Sequence, residues 1–221
     1  MPIEEVIFYI RKKWEDFTNN LFFNMERTVY FRAFEPEDID KVHQWKNSDE
    51  LNELTVGLNK KTTMEDDLRW LNSIKDHHPY YAYWAICAKE SNKVIGYASL
   101  TNIHYINSSA ETGAILIADP DYNDGTAWIE SVMFLFEYAF ERLNLHRVYG
   151  HSLVGHKMSN MIEPLMFMQQ EGILRQAAYK NGRYYDISSA AILRDEYFAH
   201  KEAGDYELMT IIRRLKKLRK K

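Results

Sequence analysis

One stretch limits the possible folds more than any other: residues 127–143 are apolar on nearly every side of a helix. Its large apolar residues are Trp128, Val132, Phe134, Leu135, Phe136, Phe140 and Leu143. A surface helix buries a single stripe, whereas a helix that is apolar on most sides has to be covered on most sides. The sequence therefore predicts a central, buried helix with the rest of the chain arranged around it.

Strand patterns stand on both sides of this helix. Before it come four segments rich in β-branched and aromatic residues, at 28–34, 80–88, 93–103 and 110–117. Short turns separate the last three, which predicts an antiparallel meander. After the helix, residues 146–153 predict another strand. Two further strand patterns meet at Asn181-Gly182, a pair that supplies the positive φ angles of a tight hairpin turn.

Helix starts divide the remaining chain. Pro36 with the acids after it predicts a helix that runs to about Asn47, and Thr63 with Asp66 predicts the cap of a second helix. Residues 156–168 also have a helical pattern. The resulting order is β, α, α, β, β, β, α, β, α, β, β. This order predicts one α/β domain, of the α+β kind, with a mixed sheet and a helical extension at each end.

Composition narrows the class of protein. Hydrophobic residues make up 46% and aromatic residues 14% of the 221 residues, which is enough material for a packed core. The net charge of −4 argues against an overall attraction to nucleic acid. A single cysteine, Cys87, excludes an intrachain disulfide, and we interpret it as a small buried residue. The N-terminus mixes charged and apolar residues and lacks the pattern of a signal peptide, so we expect a cytoplasmic protein.

Four segments together resemble the GNAT superfamily of acetyl-CoA-dependent N-acetyltransferases. They are FRAFEPEDIDKVHQWKN from residue 31, VIGYASLTNI with AETGAIL, EYAFERLNLHRV from residue 137, and the hairpin EGILRQAAYKNGRYYD with ILRDEY. Within the superfamily the chain is similar to the branch that acetylates ribosomal-protein N-termini and amino-sugar nucleotides. The resemblance implies a GNAT domain over 28–197. Its sheet would be mixed, mostly antiparallel and flanked by helices, splaying between 110–117 and 147–152 to hold acetyl-CoA.

The resemblance also implies where acetyl-CoA binds. The family holds the pyrophosphate on backbone N–H groups at the start of the central helix, where the helix dipole favours an anion. The expected cofactor-binding residues are Ile115, Leu116, Ile117, Asn123, Asp124, Gly125, Thr126, Ala127, Trp128, His156 and Ser159. The loop departs from the family pattern, since one glycine remains, the usual arginine is absent and Asp124 adds a carboxylate. The alternative for Asp124-Gly125 is a plain turn.

Three residues are candidates for the chemistry, which is direct transfer to a primary amine without a covalent intermediate. Glu111 heads the strand beside the expected acetyl group and is the candidate general base or its water relay. Ser159 and Tyr185 are hydroxyls that could serve the leaving thiolate. Each has a structural alternative: a strand-end carboxylate for Glu111, a helix hydroxyl bonded to backbone for Ser159, and hairpin packing for Tyr185.

Family position adds three more residues. His156 occupies the place of an asparagine that faces the pantetheine arm, with a helix-start residue as its alternative. Trp45 and Asn47 are expected on the acceptor-substrate side, with helix core as the alternative for Trp45. Histidine spacing offers no metal-ligand motif, so we expect no metal.

Both ends of the chain lie outside the family core. Residues 1–27 predict a helical extension with an apolar stripe at 3–17, and residues 198–221 predict a basic helical tail with a stripe at 205–218. The final nine residues carry seven basic side chains, which either face solvent or contact RNA, the ribosome or an anionic surface. A homodimer that covers the stripes is a further possibility, and no segment is apolar enough to span a membrane.

Three functions remain open at this point. The first is an acetyl-CoA-dependent N-acetyltransferase acting on a small-molecule amine or a protein N-terminus. The second is a GNAT-fold binding or regulatory module with weak or lost acetyl-CoA turnover, suggested by the altered loop. The third is an RNA or ribosome binder that acts through the basic tail.

Overall fold

A seven-stranded sheet organises the chain in this computed structural model, which describes residues 27–53, 56, 61–75 and 78–218. The strands are β1 (Val29–Arg32), β2 (Ala82–Ala88), β3 (Val94–His104), β4 (Ser109–Ile117), β5 (Arg147–Leu153), β6 (Gln169–Lys180) and β7 (Arg183–Leu193). Their order across the sheet is β1-β2-β3-β4-β5-β7-β6. All neighbours are antiparallel except β4 and β5, which are parallel. The mixed, mostly antiparallel sheet expected from the sequence is therefore confirmed.

The parallel pair opens into a V. β4 pairs with β5 only from Ser109 to Thr112, opposite Arg147 to Gly150. Beyond Thr112, β4 continues to Ile117 and stays paired with β3 on its other side. The sheet therefore splays between β4 and β5 where the sequence resemblance places the splay.

Seven α-helices pack around the sheet in the described part of the chain. They are α1 (Ile39–Lys46), α2 (Asp49–Glu53), α3 (Met64–Lys75), α4 (Thr126–Phe136), α5 (Lys157–Leu165), α6 (Arg194–Glu202) and α7 (Leu208–Leu218). A π-helical segment, Glu137–Arg142, continues α4. The expected helix over 156–168 is shorter in the structure and ends at Leu165, because Phe167 has a φ of 62° and the chain turns there into β6.

The central helix α4 is buried as its composition predicts. Every residue from Ile129 to Phe136 is buried, including the charged Glu130. The Glu130 carboxylate accepts hydrogen bonds from the backbone N–H groups of Thr28 (2.9 Å) and Val29 (2.9 Å). This buried acid replaces the strand partner that the start of β1 lacks, so the central helix also positions the edge strand.

The two faces of the sheet carry separate apolar clusters. Alternate residues of a strand point to opposite faces. On β2, Trp84 and Ile86 join the main cluster with α4, whereas Ala85 and Cys87 join a smaller cluster with α1 and α3. Cys87 is fully buried there, and burial raises the pKa of its thiol, as its interpretation as a core residue requires.

The C-terminal helix is part of the main core. The apolar stripe expected over 205–218 lies on α7, where Leu208, Ile211 and Leu215 are buried in the main cluster. Asp205 fixes the start of this helix by accepting hydrogen bonds from Arg214 and from His200, the latter at 2.7 Å. The stripe expected over 3–17 lies outside the described residues.

Candidate active site

The open edge of β4 forms one wall of the V. Ile115, Leu116 and Ile117 are half-buried and pair with β3 alone. Their backbone N–H and C=O groups on the β5 side are therefore available to an extended amide-containing ligand. The resemblance assigns these three residues to the cofactor, and the structure places them at the opening.

A hydrogen-bonded pair closes the narrow end of the V. Nδ1 of His151 lies 2.8 Å from Oε1 of Glu111, and Nδ2 of Asn102 donates to Oε2 of Glu111 at 2.6 Å. Thr112 and Gly150 are the last residues in register, so His151 is the first residue of β5 beyond the paired region. Glu111 is thus a member of a polar cluster at the apex.

Sequence reasoning found Glu111 but missed His151 and Asn102. His151 alternates with the buried Val148, Gly150 and Ser152, so its side chain lies on the face opposite α4. The alternation along the strand predicts which face the His151 side chain lies on. Its contact with Glu111 depends in addition on the parallel register of β5 with β4, which the alternation does not predict. Asn102 reaches Glu111 from a β-bulge, where its own φ is 49°.

His156 and Ser159 form a cap at the start of α5. Nδ1 of His156 accepts the backbone N–H of Ser159 at 3.2 Å and lies 2.8 Å from the Ser159 hydroxyl oxygen. Because Nδ1 accepts a backbone N–H, the proton of the neutral imidazole is on Nε2. Burial, and secondarily the charge of Lys180, lower the pKa of His156 and favour this neutral form. The Ser159 hydroxyl therefore donates to His156.

The loop before α4 caps the helix with its own carboxylate. Asp124 Oδ1 accepts the backbone N–H of Thr126 at 2.8 Å, and Oδ2 accepts the Thr126 hydroxyl at 3.0 Å. Gly125 has a φ of 93°, a conformation that a side chain disfavours, and is buried, as is Ala127. Asn123 is exposed and Trp128 is half-buried against the main cluster. An internal anion thus occupies the first turn of the helix.

Three expected site residues have partners of their own. The Tyr185 hydroxyl accepts a hydrogen bond from Arg183 on the same strand. Trp45 packs in the smaller apolar cluster, with its ring 6.4 Å from that of Tyr97. Asn47 binds the backbone of Thr62 in both directions, donating at 3.1 Å and accepting at 3.0 Å. Through these two hydrogen bonds, Asn47 connects the end of α1 to the segment before α3.

A separate cavity of about 290 Å³ lies between α5 and the β6–β7 hairpin. Glu163, Gln170 and Ser188 are among its lining residues. Burial raises the pKa of the Glu163 carboxyl. Ser188 pairs in register with the buried Ser152, so the cavity lies on the α4 face of the sheet and not on the face of His151.

Within the described ranges, no group of three or more histidine, cysteine or acidic residues has the geometry of a metal site. The same part of the chain contains no helix with the length and hydropathy of a membrane span.

Comparisons with known proteins agree with this architecture. A family profile described as "Acetyltransferase (GNAT) domain" matches residues 28–162. A spermidine N(1)-acetyltransferase from Vibrio cholerae serotype O1 is 28% identical over 179 residues, which are 80% of this chain and 100% of the relative. Enzymes of this family use acetyl-CoA as the co-substrate.

Solved structures show the same fold. The spermidine N-acetyltransferase from Vibrio cholerae in complex with CoA and spermine superposes with a TM-score of 0.70 at 23% identity, covering 77% of this chain and 98% of that one. A dodecameric structure of spermidine N-acetyltransferase from the same organism gives a TM-score of 0.63 at 24% identity, covering 77% and 96%. The matched profile spans more than half of the chain, and the chain therefore belongs to the GNAT family of N-acetyltransferases.

Proposed function

We propose that this enzyme transfers the acetyl group of acetyl-CoA directly to a primary amine of a small polyamine. The observation that carries the proposal is the Glu111–His151 pair at the apex of the open β4–β5 V. An acceptor amine arrives as an ammonium ion and has to lose a proton before it can attack. A carboxylate paired with an imidazole at the point where the strands part supplies that function.

Three features support acetyl-CoA as the donor. The free edge of Ile115–Ile117 offers backbone groups to the pantetheine amides, as the family resemblance implies. The loop before α4 together with the first turn of the helix, over 123–128, offers backbone N–H groups to the pyrophosphate. The Nε2–H of His156 provides a donor where the family has an asparagine amide. A relative of the same fold is described in complex with CoA.

Ser159 and Tyr185 stay candidates for the leaving thiolate. Ser159 is nine-tenths buried at the start of α5, and its hydroxyl has to rotate away from His156 before it can donate to sulfur. The Tyr185 hydroxyl accepts from Arg183, which leaves its own O–H proton free to donate. The family resemblance nominates the position of Ser159, and on that ground we assign it the primary role.

The relatives favour a polyamine as the acceptor. A relative from Vibrio cholerae is named spermidine N(1)-acetyltransferase and matches along its entire length, and a solved structure of a spermidine N-acetyltransferase from that species is described in complex with spermine. Residues 28–197 also resemble the branch that acts on ribosomal-protein N-termini. A protein N-terminus is therefore the second candidate acceptor, against which a polyamine has to be compared. A dodecameric relative supports a homo-oligomer, which extends the expectation of a homodimer.

A coenzyme A release assay across a panel of amines tests the proposal. The panel contains spermidine, spermine, a ribosomal-protein N-terminal peptide and an amino-sugar nucleotide. We expect the highest kcat/KM with a polyamine and a loss of about 100-fold in Glu111→Gln. The matched control is Glu65→Gln, which changes an exposed acid on α3. Binding of acetyl-CoA without turnover of any amine would instead support the binding-module alternative.

A further inference from the structure

We infer that Nε2 of His151 takes the proton from the acceptor amine, and that Glu111 is the positioning residue that holds the imidazole. This inference rests on the proposed function and changes its assignment of the base. The sequence nominates Glu111 as the general base or its water relay, from its position at the head of the strand expected beside the acetyl group. The structure supplies that group on the neighbouring strand, at a distance that fixes both its orientation and its tautomer.

The contact between Glu111 and His151 determines where the imidazole carries its proton. An ionised carboxylate can only accept hydrogen bonds, so Nδ1 of His151, 2.8 Å from Oε1, is the protonated nitrogen. The lone pair of the neutral ring then lies on Nε2. A carboxylate on one nitrogen and a free lone pair on the other is the arrangement of a general base with an orienting acid.

The other contacts of Glu111 make it the less available of the two. Its second oxygen accepts the amide of Asn102 at 2.6 Å. Both carboxylate oxygens therefore already have donors, whereas the outer nitrogen of His151 has none among the described residues. The side chain of His151 is 29% exposed and that of Glu111 is 19% exposed, so His151 is the more accessible to an entering amine.

Three carboxylates interact electrostatically with the His151 side chain. Glu111 contacts it from β4, Glu163 acts on it from α5, and Glu171 acts on it from β6. Arg147, a cation on the same strand, forms an ion pair with Glu171. On β7 the residue in register is the uncharged Ser189. Glu111 is the one of these three acids in direct hydrogen-bond contact with the imidazole.

The proton balance of the reaction is complete with this assignment. The acceptor R–NH3⁺ gives one proton to Nε2 of His151, which later releases it to solvent. The neutral amine forms the new C–N bond to the acetyl carbon as the C–S bond breaks. The thiolate takes the second N–H proton, with Ser159 as the proposed relay. One N–H remains on the amide product.

The test compares His151→Gln, Glu111→Gln and the control His146→Gln, whose exposed imidazole precedes β5. The readouts are kcat/KM from pH 6 to pH 10 and the affinity for acetyl-CoA. We expect His151→Gln to lower kcat/KM by about 100-fold at neutral pH with unchanged acetyl-CoA binding. Its deficit should shrink at high pH, where the amine is already neutral. Imidazole added to His151→Ala should restore part of the rate.

The behaviour of Glu111→Gln distinguishes a role of Glu111 as the general base from a role as the residue that positions His151. If His151 is the base, this variant keeps a measurable rate and, unlike His151→Ala, gains none from added imidazole. If His151→Gln retains the wild-type rate while Glu111→Gln loses activity, Glu111 is the base and the inference is wrong. Absence of acetyl transfer by the wild-type enzyme would instead contradict the proposed function.

Discussion

The carboxylate of Asp124 binds the backbone N–H of Thr126 at 2.8 Å, at the first turn of the central helix. The resemblance to GNAT enzymes implies that the pyrophosphate of acetyl-CoA binds at this turn. The chain therefore carries its own carboxylate at the turn where we expect the pyrophosphate to bind. A phosphate entering this turn has to displace the carboxylate or share the N–H groups with it.

Replacing Asp124 should tighten acetyl-CoA binding. Asp124→Asn keeps an oxygen that can accept the Thr126 N–H but removes the negative charge, and we expect an affinity gain of roughly fivefold, about 1 kcal/mol. Asp124→Gly removes the cap as well and should bind at least as tightly, with a free energy of unfolding lower by about 1 kcal/mol. Isothermal titration and thermal melts measure the two effects. Unchanged or weaker binding in both variants would show that the loop does not hold the pyrophosphate.

Ser159→Ala should slow turnover without weakening cofactor binding. If the hydroxyl passes a proton to the leaving thiolate, kcat falls by about 10-fold or more while the affinity for acetyl-CoA stays the same. Steady-state kinetics and calorimetry on the same preparation separate the two quantities. The control is Ser73→Ala, an exposed serine of α3 whose hydroxyl donates to the backbone carbonyl of Trp70. Wild-type kcat in Ser159→Ala would leave Ser159 with the capping contact to His156 alone.

Asp67 should be a determinant of stability. Its fully buried carboxylate accepts from His43 (2.7 Å) and Thr62 (2.9 Å) and pairs with Lys46 (3.1 Å). We expect Asp67→Asn to lower the free energy of unfolding by about 3 kcal/mol, because Lys46 is left without its buried partner. Glu65→Gln, on the same helix, is the control and should change it little.

The same residue predicts a pH dependence of stability. Burial alone would raise the pKa of Asp67, but the hydrogen bonds from His43, Lys46 and Thr62 outweigh it and hold the pKa below its usual value. A lowered folded pKa contributes stability that is present above the unfolded pKa of about 4 and is lost as the pH falls below it. Urea unfolding between pH 3 and pH 6 should show this loss in the wild-type protein and a flatter profile in Asp67→Asn.

We expect the apolar residues of the C-terminal helix α7 to be required for folding and its exposed basic residues to be dispensable for stability. Truncation after Gly204 removes Leu208, Ile211 and Leu215 from the main core, which we expect to cost more than about 3 kcal/mol. Charge reversal of the exposed Arg213, Lys216 and Lys217 should leave the Tm unchanged. A truncated protein with the wild-type Tm would show that α7 does not stabilise the domain. Loss of RNA binding on charge reversal would be evidence for the polyanion contact suggested by the sequence.

Local patterns predicted most of the fold because each reports on a local physical requirement. The Asn181-Gly182 turn is observed with φ angles of 50° and 80°, as a two-residue hairpin demands. Thr63 caps α3 through hydrogen bonds with Asp66, as its spacing indicated. The all-round apolar helix is buried because no arrangement leaving it exposed is stable in water.

The candidate site was harder to predict because its contacts join residues distant in sequence. Glu111 and His151 are 40 residues apart, and their contact depends on the parallel register of β4 with β5. No periodicity encodes that register. The Glu130 contact with Thr28 and Val29 spans more than 100 residues and was likewise invisible in the sequence. Asn102 depends on a bulge that shifts the register by a residue.

Identification of the product tests the central claim most directly. The full-length enzyme is incubated with acetyl-CoA and spermidine, and the acceptor is analysed by mass spectrometry alongside parallel reactions of Glu111→Gln and His151→Gln. We expect the wild-type enzyme to produce monoacetylated spermidine with one free coenzyme A per acetyl group, and both variants to produce it far more slowly. Spermidine that remains unacetylated while the enzyme binds acetyl-CoA would contradict a polyamine acetyltransferase. Equal product from all three proteins would contradict the site at the apex of the β4–β5 V.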